Sequence, residues 1–182
     1  MEQTRMAHSG NAGAVHREAN WYALHVRSRH EFAASSELQR KGIDSFLPSV
    51  IRVSQWKDRK KRVEFPLFPG YLFVHIAPRA DEFLRVVKTT GTVSFISLEP
   101  GHPTPVPAGE IDSLRLLVES GEPLDIYPYL KEGTRIRVKR GPLTGACGVL
   151  HQKEDQHLFL INIEILGRSV GLRLYAGDIE QA

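Results

Sequence analysis

Phe65-Pro66-Leu67-Phe68-Pro69-Gly70-Tyr71-Leu72-Phe73-Val74-His75-Ile76 is the stretch on which the first part of the chain turns. Proline locks φ and donates no backbone hydrogen bond, so the half framed by Pro66 and Pro69 cannot lie in a helix or a central strand. From Tyr71 onward no breaker interrupts the aromatic and β-branched residues, which favour a strand. The run therefore reads as a rigid kink feeding a buried strand. Residues 72–76 should be core, whereas Phe68 and Tyr71 beside a Pro-Gly bend suggest a docking surface.

Immediately upstream the character is basic. Arg52, Lys57, Arg59, Lys60, Lys61 and Arg62 face a single acid, Asp58, with Gln55 and Trp56 among them. The segment must return into the 65–76 run, so an extended hairpin with a basic tip is expected. Cations serve phosphate, and an interleaved indole offers a stacking plane for a base. Trp56, Lys57, Arg59, Lys60, Lys61 and Arg62 are accordingly candidate nucleic-acid contacts. A solvated charged face is the plain alternative.

Further upstream, Trp21-Tyr22-Ala23-Leu24-His25-Val26 alternates Tyr22, Leu24 and Val26 on one face of a strand. Ser28-Arg29-His30-Glu31 has the spacing of a capping box, and Gly42 sits where a helix would close. Ile43-Asp44-Ser45-Phe46-Leu47 starts a second strand that continues past Pro48. Downstream, Phe83, Leu84, Val86 and Val87 mark a short amphipathic helix, residues 92–96 a strand, and the proline-rich 100–107 a loop. A last helix carries Ile111, Leu114, Leu117 and Val118 and ends at Gly121. Residues 21–120 thus read β-α-β-β-β-α-β-α, an α+β unit with a mainly antiparallel sheet flanked by helices.

Residues 1–20 are polar and small, expected to form a disordered tail with no export signal. Residues 121–130 read as a short linker. Within 131–182, Gly133, Gly141, Gly145, Gly148, Gly167, Gly171 and Gly177 punctuate short alternating runs, the pattern of a small β-barrel. So many glycines would weaken helices there, which argues for a permanent barrel.

The 182 residues carry a net charge of +3 and a single cysteine. One cysteine forbids an internal disulfide and suits a reducing compartment, so a cytoplasmic location is expected. No window approaches a membrane span. The histidines lack metal-ligand spacing, and no phosphate loop, nucleophile elbow or carboxylate pair is evident, so neither metal, cofactor nor catalysis is expected. Cys147, among small residues in a barrel strand, reads as inert packing.

Two sets of residues resemble a known family. Gly133 through Val138, Gly141-Pro142-Leu143, Gly145, Gly148-Val149 and then Ile165-Leu166-Gly167-Arg168 resemble a KOW motif. Trp21-Tyr22 and Phe68-Pro69-Gly70-Tyr71 resemble the N-terminal (NGN) domain of NusG. Their order, linker and length together are similar to the NusG family across about residues 20–180.

That resemblance implies an NGN-like domain over 21–120, a linker over 121–130 and an SH3-like KOW barrel over 131–182. It implies a monomeric, non-enzymatic factor on elongating RNA polymerase, docked on the clamp helices of the largest subunit. There it would favour the closed, processive state and suppress pausing or termination. By the same resemblance Tyr22 and Pro69 join Phe68 and Tyr71 as polymerase contacts, and the basic hairpin reaches DNA of the transcription bubble. Leu143, Ile165, Leu166 and Arg168 become the barrel's contact for a small-subunit ribosomal protein or Rho. Leu143 and Leu166 stand where the family often has aromatics, which, with the 66–74 run, points to a specialised antitermination paralogue. A housekeeping NusG coupling polymerase to Rho or the ribosome, and a KOW-type ribosomal or RNA-binding assembly protein, are the alternatives.

Overall fold

The computed structural model describes residues 18–55, 60–129, 133–153, 156–173 and 179–181. Its first sheet is built on β1 (Asn20–Val26) and β5 (Tyr71–Ile76), which lie antiparallel with Trp21 opposite His75, Ala23 opposite Phe73 and His25 opposite Tyr71. β2 (Asp44–Phe46) borders β5, while β6 (Thr92–Phe95) and β7 (Pro105–Val106) pair with β1.

Because side chains alternate across a strand, each central strand feeds two cores. Tyr22, Leu24, Val26, Leu72, Val74 and Ile76 face α1 (Glu31–Arg40) and α2 (Ala80–Val87), packing with Ala34, Leu38 and Val86. Tyr22 meets Phe83 edge-on at 5.1 Å and Phe95 at 6.0 Å, both in the geometry aromatic quadrupoles prefer. Trp21, Ala23 and Phe73 face the other way, toward Ile111, Leu114 and Leu117 of α3 (Ala108–Glu119). Arg115 of α3 lies over the Trp21 ring at 4.9 Å and over Phe46 at 5.0 Å, so its cation holds the helix on this face as the aliphatics do. The result is helix, sheet, helix.

β3 (Ser49–Gln55) and β4 (Lys60–Pro66) form a separate two-stranded ribbon, with Val50 opposite Phe65 and Val53 opposite Arg62. At its base the Leu67 N–H donates to the Pro48 carbonyl at 2.7 Å. The expected hairpin is present, although Pro48 divides it from β2 where a continuous strand was expected.

The second unit is an antiparallel sheet in the order β13-β9-β10-β11-β12-β8. Its strands are β8 (Asp125–Pro128), β9 (Thr134–Val138), β10 (Cys147–Lys153), β11 (Gln156–Ile163), β12 (Arg168–Arg173) and β13 (Ile179–Gln181). Its core holds Ile136, Val138, Phe159, Ile161, Ile163 and Val170. No ladder among the described residues joins β13 to β8, so the barrel is SH3-like but open. Gly171 has no substitute here. A Cβ on it would lie 2.2 Å from the Phe159 carbonyl oxygen and 2.4 Å from Leu160 Cδ2.

Three local expectations change. α1 begins at Glu31 with His30 at its cap and no side-chain cap bond, so Ser28 is not the cap. Part of the proline-rich loop pairs with β1 as β7, because a two-residue edge strand tolerates proline and Val106 gains a buried place. Within the 121–130 stretch read as a linker, residues of β8 pair with β12, Tyr127 opposite Ser169 and Pro128 opposite Arg168. An edge position again accommodates the proline.

Candidate functional site

The turn at the start of β5 is pinned by three backbone groups. The Tyr71 N–H donates to the Phe68 carbonyl at 3.0 Å, closing a turn with Pro69 second and Gly70 third. Gly70 has φ +84°, the conformation a type II turn demands at that place. Its carbonyl accepts the Val26 N–H at 2.9 Å, and its own N–H donates to Glu31 Oε1 at 2.8 Å. Glu31 is a buried acid from the first turn of α1, and its job is to hold this bend.

Outside the turn lie exposed Pro69, half-buried Tyr71 and half-buried His25, whose ring is 5.5 Å from that of Tyr71. These three form a fixed apolar and aromatic knob. The knob is smaller than sequence reading expects, and two corrections follow. Phe68 is 1% exposed and meets Phe73 edge-on at 6.4 Å, so it supports the bend from within. Tyr22 is 3% exposed and, an odd three positions from His25, lies on the opposite sheet face. It belongs to the α1–α2 core and cannot share a surface with Tyr71. His25 is the residue the sequence reading missed, and its signal was parity: it lies opposite Tyr71 in the ladder.

The ribbon carries Lys60, Lys61 and Arg62, all exposed. By pairing, Lys60 and Arg62 share one face with Val53, while Lys61 shares the other with Arg52. The charge therefore clothes both sides of a two-stranded ribbon, with Ile51 and Val53 exposed beside it. Trp56, Lys57 and Arg59 lie outside the described residues.

On the barrel, Ile165 and Leu166 are half-buried in a single 3-10 turn, Glu164–Leu166. Gly167 closes it at φ +59°, returning its N–H to the Glu164 carbonyl at 2.9 Å. Arg168 is exposed beside them. Leu143 does not join this surface: at 3% exposure it is barrel core, because the 141–146 turn folds it inward beneath Ala146. Cys147 also departs from expectation. It is exposed at the start of β10, and its N–H donates to Ser113 Oγ of α3 at 3.1 Å.

An α+β unit with a braced apolar knob and a basic ribbon is followed by a small, open barrel, a two-module architecture. The family model described as "Transcription termination factor nusG" matches residues 19–115, just over half of the chain. The "Transcription termination/antitermination protein NusG" of Halalkalibacterium halodurans is 25% identical over 178 residues, covering 90% of this chain and 99% of its own. That of Bacillus subtilis is 26% identical over 177 residues, covering 90% and 99%. Among solved structures, one titled "Domain interaction in Thermotoga maritima NusG" is 20% identical, covers 90% of this chain and 97% of that one, and has a TM-score of 0.49. The chain belongs to the NusG family of transcription termination and antitermination factors.

Proposed function

We propose that this chain binds elongating RNA polymerase at the clamp helices of the largest subunit through Pro69, Tyr71 and His25. Phe68 supports that surface from behind. A factor that binds the closed clamp more tightly than the open one shifts the population toward processive elongation, and no bond need be made or broken. The observation that carries this reading is the braced turn, in which a buried acid is committed to presenting exposed Pro69 beside half-buried Tyr71 and His25, an aromatic set that protein interfaces favour.

Docking there would extend the ribbon toward nucleic acid, where Lys60, Lys61 and Arg62 meet DNA of the transcription bubble; Trp56, Lys57 and Arg59 are proposed for the same contact from the sequence alone. The barrel turn with Ile165, Leu166 and Arg168 would receive a small-subunit ribosomal protein or Rho. Action on selected operons, as an antiterminator, is the form of this activity we favour, on the resemblance of the 66–74 run. Polymerase capture by the full chain tests the core of the proposal: Tyr71→Ala with Pro69→Ala should abolish it while the protein stays folded. Undiminished capture would refute it. Genome-wide occupancy then separates the two forms, restricted for a specialist and uniform for a housekeeping factor.

A further inference from the structure

α3 serves two masters. One side covers the first sheet, and the other packs on β10 and β11 of the barrel. Across this second contact runs the hydrogen bond from the Cys147 N–H to Ser113 Oγ, whose residue is 3% exposed. One turn earlier on α3 is Glu110, in the cleft between helix and barrel. Its Oε2 is buried without a hydrogen-bond partner. The barrel places Glu164 in the same cleft. Two acids thus meet where the modules close on each other.

We propose that the contact between α3 and the barrel is a proton-sensitive clasp, closed while the Glu110 carboxyl is protonated and loosened when Glu110 and Glu164 are both ionised. The surroundings do little to relieve the pair. From the barrel side, Arg135 of β9, Tyr129, Cys147 and Glu164 line the cleft, and from α3 itself Asp112. Arg135 is exposed and makes no ion pair among the described residues. Burial disfavours the charged form of Glu110 most, the backbone N–H of Glu164 partly offsets it, and the Glu164 carboxylate adds to the upward push. The carboxyl of Glu110 is pushed up to about 7.

A carboxyl raised in the closed state gives that state a proton the open one releases, so closure strengthens as pH falls and weakens as pH rises through about 7. Glu110 is only partly buried, and solvent screening reduces the effect. Between pH 6 and 8 the ratio of closed to open chain should fall about fivefold. Glu164 opens the turn that also carries Ile165 and Leu166, so release would change how that turn is presented. The clasp rests on the α3–barrel geometry alone and is independent of polymerase docking.

The test is hydrogen exchange of the Cys147 amide in the full chain, corrected for its intrinsic rate. Protection should fall about fivefold from pH 6 to pH 8 in the parent chain. It should become independent of pH in Glu110→Gln. Glu164→Gln should keep the trend but move it to lower pH, since the like charge that helps raise the Glu110 carboxyl is gone while burial of Glu110 persists. Ser113→Ala should lower protection at every pH and leave the trend in place. Titration of the Glu110 side-chain carboxyl by carbon NMR in the parent chain adds a measurement that needs no variant. Protection constant across pH 6–8, a pH trend surviving in Glu110→Gln, or a Glu110 midpoint in the ordinary carboxylate range would each overturn the proposal.

Discussion

Replacing Glu31 by alanine asks whether the docking turn is held from inside. The side chain is 4% exposed, and its Oε1 accepts the buried Gly70 N–H at 2.8 Å across 39 residues of chain. A hydrogen bond to a charged group contributes about 1.5–3 kcal/mol, and alanine leaves the Gly70 donor with no partner. Some of that loss is offset because the variant no longer buries a carboxylate. A net destabilisation of about 2 kcal/mol is expected, or a fall in Tm of about 4–8 °C for a chain of this size. Glu31→Gln keeps an oxygen that can accept the same bond and should cost about 1 kcal/mol or less. Urea unfolding followed by tryptophan fluorescence reads the difference, since Trp21 is buried in the same unit. Polymerase affinity, measured where both variants are folded, should fall about fivefold for alanine and recover with glutamine. An alanine variant within 0.5 kcal/mol of the parent would refute the bracing argument. So would a glutamine variant as weak as the alanine one.

Phe68→Ala and Tyr71→Ala should separate folding from docking. The first empties a fully buried site and should cost about 3–5 kcal/mol of stability, whereas the second should leave unfolding within about 1 kcal/mol of the parent yet weaken polymerase capture tenfold or more. Alanine at Lys60, Lys61 and Arg62 together should weaken DNA retention and reduce the slope of log affinity against log salt by up to about 3, measured by salt titration of a DNA-bound complex. Gly171→Ala places a methyl against the Phe159 carbonyl and should unfold the barrel, seen as loss of dispersed amide signals from 133–173 while signals from 20–119 persist.

Much of this fold can be read from residue order because its signals are local. Proline and glycine mark the bend before β5, alternation marks β1 and β5, and Gly42 ends α1 at φ +69°. What escaped depends on partners far away in sequence. Glu31 has the spacing of a cap, yet its acceptor serves Gly70, and nothing near position 31 reveals that. Tyr22 was legible and misassigned: the alternation that put it with Leu24 and Val26 already made it core, on the face away from Tyr71. Family likeness points Leu143 to the surface and the Pro-Gly bend points Phe68 there, whereas turn geometry folds both inward. The approach of α3 to the barrel, and with it the setting of Glu110 and Cys147, is a docking of two modules and leaves no periodic trace in either.

The ribbon also has a mechanical meaning. Each of its strands is 7 residues long, so the end bearing Gln55 and Lys60 stands about 20 Å from its base. That base is tied by the Leu67–Pro48 bond and runs directly into the turn at Phe68. The knob is therefore the fulcrum of a lever. A tilt of about 10° where the knob seats would swing the far end by roughly 3–4 Å, about one residue of strand. A small change in the seat's angle would be magnified into a different position of the charged end, so the protein could convert the posture of whatever it grips into a choice of what it touches.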